Sequence, residues 1–329
     1  MALSWFIACT GIKSDTEDQA DHGLDTQASD ATTVSAPDLP FGPIQCIGKL
    51  RIPDPSFRAL LEQRLGQPTI TAEALAELAE LVGDDWEIID LEGLQCASGL
   101  ELLSLRDNRI VDIGGIHAAA GLRRLYLDDN PIVRLVDLSS LTMLENLSIA
   151  RTGITSLEPV AASTSLLVLG LDGSPVTDLS HIASFPRLWS LSIIGTNVTS
   201  LAALDGAPAL TRVHARCLQL GDDAVAVAAS WPALADVDLA FNRIHSVAAL
   251  LDSGPIGVLT LGNPPTGGPQ PCEDRNRIDD LELLLEHGGI DENTTLRLHY
   301  AVGVEDCPVI DALELRGAVV EVHASLDCP

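Results

Sequence analysis

Apolar residues recur through the middle of the chain with a 22-residue period. Aligned on their first leucines, the segments read LELLSLRDNRI (100–110), LRRLYLDDNPI (122–132), LENLSIARTGI (144–154) and LLVLGLDGSPV (166–176). LWSLSIIGTNV (188–198), LTRVHARCLQL (210–220) and LADVDLAFNRI (234–244) follow. The first position is leucine in all seven, the fourth is leucine or valine, and the eleventh is isoleucine, valine or leucine. The step is 22 residues five times and 24 once, between Leu210 and Leu234. Ile88, Leu91 and Leu94 match Ile110, Ile113 and Ile116 one period later. Side chains alternate along a strand, so the pattern predicts short strands with Leu103 and Leu105 turned inward and Leu102, Ser104 and Arg106 outward. Successive strands would stack in parallel about 4.8 Å apart. The turn after each strand leaves backbone groups facing the interior, and Asn108, Asn130 and Asn242 are placed to bond them, with Thr152, Ser174 and Thr196 doing part of that work. Leu218 has no polar atom for the task, so the sixth segment is expected to be irregular. Its extra length and the run DDAVAVAAS predict a helix on the outer side, where the other repeats have room only for 3₁₀ turns or extended chain.

The flanks follow other patterns. Residues 10–39 are rich in Asp, Ser, Thr, Ala and Gln without apolar periodicity, which predicts a disordered acidic tether. Residues 40–84 are expected to form a helical N-terminal cap. Asp54-Pro55 opens one helix to Leu65, and Thr71 caps a second, AEALAELAELVG, with Leu75, Leu78 and Leu81 at helical spacing. The repeats are assigned to 85–262. After Leu261 the register is expected to break at GNPPTGGPQPC, and 263–329 is expected to be a C-terminal cap of two Cys–helix–Gly units, the second adding a strand at Val319–Val322.

The aligned segments follow the template L-x-x-L-x-L-x-x-N-x-L, and with their period they resemble the leucine-rich repeats of internalins and of a phosphatase regulatory subunit. The stretch IIDLEGLQCASG (88–99) is similar to the first repeat of internalin-like bacterial surface proteins, which also place a helical cap before it. The resemblance implies an α/β fold, a right-handed leucine-rich-repeat solenoid whose parallel sheet lines the concave side between two caps. It also implies a secreted or surface-attached protein that binds other proteins through that face. The chain departs from the family in having no evident wall anchor or immunoglobulin-like domain after the repeats.

Composition narrows the function. The 329 residues are 46% hydrophobic but only 3% aromatic, which suits thin repetitive layers. A formal charge of −28 makes nucleic acid a poor partner. The opening MALSWFIAC resembles the lipobox of bacterial lipoproteins, which implies a signal over 1–9 and lipidation of Cys9; Phe6 stands where leucine is usual, and no Lys or Arg precedes it. Of the other six cysteines, Cys307 with Cys328 and Cys46 with Cys96 are the expected disulfides, flanking array ends that lack a neighbouring layer. Cys217 with Cys272 remains by elimination, and three repeats of separation argue against it. Reduced thiols in an intracellular protein are the alternative.

Catalytic motifs are not found: there is no H-E-x-x-H, G-x-S-x-G, phosphate loop or C-x-x-C, and the eight histidines lack ligand spacing. No enzyme activity, cofactor or metal is expected. The candidate chemistry lies on the concave face, where a protein or peptide partner would meet Arg106, Arg124, Tyr126, Asp128, Trp189, Arg212, His214, Arg216, Asp236, Asp238 and Phe241. Arg106 with Arg124 and Arg212 with Arg216 form basic spots on an acidic molecule, and Tyr126, Trp189 and Phe241 are rare aromatics at or near the face; Arg, Tyr and Trp are the usual interface anchors. The leading reading is a secreted or lipid-anchored scaffold that binds a protein. An intracellular scaffold resembling the phosphatase regulator and an envelope spacer without a specific ligand are the alternatives.

Overall fold

Leucines at the fourth repeat position mark the rows of a parallel sheet. In the computed structural model, which describes residues 45–262, 275–323 and 326, the sheet begins with β1 (Glu80–Val82), β2 (Leu102–Ser104), β3 (Arg124–Tyr126), β4 (Asn146–Ser148) and β5 (Val168–Gly170). It continues through β6 (Ser190–Ser192), β7 (Arg212–His214), β8 (Leu234–Asp238), β9 (Ile256–Thr260), β10 (Thr295–Arg297) and β11 (Val319–Glu321). Spatial order equals sequence order, and each pair is parallel. Leu81, Leu103, Leu125, Leu147, Leu169, Leu191, Val213, Val237, Leu259, Leu296 and Val320 lie in one register row. The chain is therefore a leucine-rich-repeat solenoid. Each leucine of that row from Leu81 to Leu296 is at most 1% exposed, and full burial of such a side chain is worth about 1.5–3 kcal/mol.

The asparagine ladder closes each turn. Asn108 donates from Nδ2 to the carbonyls of Gly83, Leu105 and Arg106 and accepts at Oδ1 from the N–H groups of Trp86 and Ile88. Asn242 repeats this arrangement with Ala215, Leu239 and Ala240 as acceptors and Leu218 and Leu220 as donors. The smaller side chains do less: Thr152 and Ser174 both donate to the Ile149 carbonyl, and Thr196 to that of Ile193. The residue before this position takes a left-handed conformation in every turn from Asp85 to Phe241, including Asp107, Asp129, Arg151, Gly173, Gly195 and Cys217. Where the turn position is apolar, at Trp86 and Leu218, the residue after it is left-handed as well, Glu87 at φ 57° and Gln219 at φ 60°. That second inversion is the irregularity expected of the sixth segment. The outer helix expected there is α3 (Asp223–Ala229), closed off by Trp231, whose Nε1 donates to the Leu204 carbonyl at 2.9 Å.

At the N-terminal side, α1 (Pro55–Leu65) buries Phe57, Leu60 and Leu61. Asp54 caps it through Oδ1 to the Phe57 N–H at 2.7 Å, and its Oδ2 accepts from Ile89 and Asp90. One carboxylate thus joins the helix to the first repeat. The second expected helix is cut short: α2 spans only Ala72–Ala76, and Leu78 and Leu81 enter a repeat instead of a helical face. An L-x-x-L spacing satisfies both a helix and the strand template, and pairing of β1 with β2 decides between them. Gly83 stands where later repeats carry leucine, and Leu60 of α1 fills the gap; a Cβ on Gly83 would lie 2.3 Å from the Leu60 Cδ2.

The register does not break at Leu261. Asn276 continues the ladder, donating to the carbonyls of Leu239 and Leu261 and accepting from the Ile244 N–H. The turn-rich stretch is therefore an insertion between strand and turn residue; residues 263–274 lie outside the described residues. The helix expected over the first of the two C-terminal units is a 3₁₀ turn, Leu281–Leu285, with Ile278, Leu281 and Leu284 packed like Ile110, Ile113 and Ile116. The second unit does form a helix, α4 (Cys307–Leu315), followed by β11. Cys46 and Cys96 are disulfide-bonded, with Cα atoms 5.2 Å apart. Cys217 and Cys307 are each engaged in a separate disulfide, while Cys272, Cys328 and Cys9 lie outside the described residues.

Asn130 donates to the carbonyls of Leu105, Leu127 and Asp128 and accepts from the Ile110 N–H. Asn130→Ala should lower unfolding free energy by about 3 kcal/mol, because dry backbone groups lose their partners. Thr152→Ala should cost about 1 kcal/mol, since Ser174 still serves the same carbonyl. Urea titrations of the two variants test the order; equal losses would remove the ladder from the account.

Candidate interaction surface

Residues one before, one after and three after each register leucine share the inward-curving face. The structure places ten of the eleven predicted residues on or beside it, in two groups, and sends Phe241 elsewhere. Phe241 occupies the left-handed turn position at φ 57°, three residues beyond the end of β8.

The first group lies on β1–β3. Arg106 donates from Nε to the Asp128 Oδ2 at 2.8 Å, and its guanidinium lies 4.3 Å over the Tyr126 ring. Arg124 reaches across two strands to Glu80, Nη2 to Oε1 at 3.2 Å. The second group lies on β6–β8. Arg212 lies 5.1 Å over the Trp189 ring with its Nε 3.2 Å from the Asp236 Oδ2. His214 Nε2 is 3.4 Å from the same oxygen. Arg216 donates from Nε to the Asp238 Oδ2 at 2.5 Å. Arg297 and Glu321 add a similar pair on β10 and β11, at 3.1 Å.

These pairings correct the expectation of basic spots. Each arginine of the two spots faces a carboxylate, three of the four on the next repeat and Arg124 two strands back, so the spots are locally neutral. Exposed pairs of this kind contribute little to stability, about 0–1 kcal/mol, but they hold the guanidinium planes in place. Cation–π stacking on Tyr126 and Trp189 adds about 0.5–1 kcal/mol each at exposed sites. Asp238 differs from the rest. It is 3% exposed, and desolvation raises its carboxyl above the ordinary value despite the neighbouring Arg216.

Between the groups runs a floor of small side chains, with Ser148, Gly170 and Ser192 in register. A second pattern underlies it. Asp84, Asp128 and Asp172 each accept the hydroxyl of a serine 20 residues on, Ser104, Ser148 and Ser192. The same carboxylate oxygens accept the N–H groups of Arg106, Ala150 and Ile194. The clasp recurs every second repeat, a 44-residue alternation superimposed on the 22-residue one. Sequence reasoning missed it, together with Glu80, although the alternation is visible once the segments are aligned.

Among the described residues no group of three or more His, Cys, Asp or Glu is placed to hold a metal ion, and no helix is long and apolar enough to cross a membrane. The buried histidine, His287, is structural: its Nδ1 accepts from the Gly289 N–H at 3.0 Å, and its Nε2 lies 3.1 Å from the Ser253 hydroxyl.

The fold and its inward sheet define a leucine-rich-repeat protein. No family model matches the sequence, and no curated protein does. Among solved structures, an internalin (InlF) from Listeria monocytogenes is 21% identical, covers 84% of this chain and 94% of its own, and superposes with a TM-score of 0.56. An internalin C2 (InlC2) from the same organism is 24% identical over 64% of this chain and 85% of its own, with a TM-score of 0.51. At these identities the likeness is one of fold.

The raised carboxyl of Asp238 has a pH signature. In the folded protein it takes up its proton at a pH where the unfolded chain still holds the carboxylate. Its burial therefore costs stability above the folded value, and the cost disappears as pH falls through that value towards the unfolded one. Asp238→Asn, neutral throughout, should be less unfavourable relative to the parent at pH 7 than at pH 4. Urea unfolding of both proteins at the two pH values would reveal it, and a pH-independent difference would contradict it.

Proposed function

We propose that this chain is a non-catalytic scaffold that binds a protein or peptide through the concave face of its repeats, in or outside the cell envelope. The observation that carries the reading is the pair of arginine–aromatic–carboxylate groups on that face. Stacked, ion-paired arginines lose less side-chain entropy on binding than free ones, and Arg, Tyr and Trp carry most of the energy at protein interfaces. Short parallel strands set those residues in one register.

Export is supported by disulfide bonding at Cys46, Cys96, Cys217 and Cys307, since such bridges persist in oxidising compartments. It argues against the intracellular scaffold. Lipidation of Cys9 remains part of the proposal through the resemblance of MALSWFIAC to a lipobox.

Arg124→Glu combined with Tyr126→Ala should abolish cross-linking to the native partner while leaving the melting temperature within a few degrees of the parent. Each hot-spot loss of about 2 kcal/mol corresponds to well over tenfold in affinity. Retained capture would move the site off this part of the face, and the failure of the parent itself to capture anything would favour an envelope spacer. The compartment is tested separately, by intact mass of protein from its native cell before and after reduction and alkylation. Bridged cysteines and a lipid-modified Cys9 are expected, and seven alkylatable thiols would reverse the assignment.

A further inference from the structure

Arg106 and Arg212 are held in the same way on opposite sides of the small-residue floor. Each has a carboxylate at Nε, Asp128 or Asp236, and an aromatic ring beneath its plane. Their side chains are 41% and 44% exposed. Neither makes a hydrogen bond from its Nη groups among the described residues, so the outer donors of both forks are left for an acceptor from outside. A carboxylate fits that geometry with two oxygens.

The strand register sets the distance between them. Arg106 follows Leu103 by three residues and Arg212 precedes Val213 by one, and Leu103 and Val213 stand in one row five strands apart. Five steps of about 4.8 Å across the sheet and four residues of about 3.3 Å along it give a diagonal of roughly 27 Å. An extended chain covers that span in about eight residues. The diagonal passes over Ser148, Gly170 and Ser192. At Gly170 the floor is low, since a Cβ there would already lie 2.9 Å from the Ser148 Oγ. The hydroxyl protons of Ser148 and Ser192 are committed to Asp128 and Asp172, so their oxygens are left to accept. A peptide in extended conformation has free N–H groups to donate to them, and a helix does not.

We propose, resting on the concave-face reading above, that this surface binds an extended peptide segment carrying two carboxylate side chains about eight residues apart. One carboxylate seats on Arg106 and the other on Arg212, with the intervening backbone lying on the serine–glycine floor. The rest of the segment carries no further carboxylate, because a chain of net charge −28 repels additional negative charge.

The test uses synthetic peptides, acetylated and amidated, with two glutamates separated by three, seven or fifteen residues of Ser, Thr and Gly, titrated calorimetrically into the full-length protein. The seven-residue spacing should bind at least tenfold tighter than the other two and than its diglutamine counterpart. Arg106→Gln and Arg212→Gln should each remove that preference, and Arg109→Gln, whose side chain pairs with Glu87 on the turn edge, should not. Arg106→Lys and Arg212→Lys keep the charge and lose the fork, so they should remove it too, and they serve if a glutamine variant fails to fold. Equal affinity at all spacings, no binding of the seven-residue peptide, or indifference to all four substitutions at Arg106 and Arg212 would overturn the proposal. Should the peptides fail while Arg124→Glu with Tyr126→Ala still abolishes capture of the native partner, the extended two-carboxylate geometry is wrong and the concave-face reading stands.

Discussion

Every layer of this protein is buried only by the layers on either side of it. A three-residue strand with a few inward leucines cannot bury its own apolar surface, and a turn cannot satisfy its own carbonyls. Both deficits are met by the next repeat, stacked in parallel at constant register. That constraint explains why the leucine row runs unbroken through six strands before valine first enters it at β7 and β8. It also explains the asparagine ladder, whose members bond backbone groups of their own repeat and of the one before. The two ends have a neighbour on one side only, and there the chain changes strategy. Asp54 and Leu60 tie α1 to the first repeat, and the Cys46–Cys96 bridge lies at the same end.

Because the fold occupies the inward leucines and the turn asparagines, the alternate strand positions are released for other chemistry. Here they carry charge in an ordered form. Arginines and carboxylates on neighbouring strands neutralise one another, so a strongly acidic molecule presents a face close to electrical balance. A partner meets donors and acceptors already oriented, and its affinity depends on geometry more than on long-range attraction. The Asp–Ser clasps serve the same end, since they fix the floor between the arginine groups without adding an exposed charge.

The errors in assigning elements were all of one kind. Leu75, Leu78 and Leu81, and again Ile278, Leu281 and Leu284, stand three residues apart, a spacing shared by an amphipathic helix and by this repeat. Local pattern cannot separate the two, because the deciding term is the hydrogen bonding of β1 to β2 and the packing of one outer turn on its neighbour. The insertion after Leu261 hid a further repeat in the same way, since Asn276 resumes its structural role after an interruption that breaks the period in sequence but not in space.

The sequence by itself determined the solenoid, the strand faces, the turn asparagines, the outer helix after Leu220 and the bridge between Cys46 and Cys96. A repeat protein writes its long-range contacts as short-range periodicity, so a residue and its neighbour in space are 22 positions apart and can be aligned by eye. Only the tertiary structure decided where the array begins and ends, and which charges meet. Arg124 finds Glu80 across two strands, Arg106 finds Asp128 and Tyr126 together, and Phe241 falls in a left-handed turn beyond β8. Those outcomes depend on rotamers, on left-handed turn residues and on distances between strands, and no one-dimensional pattern records them.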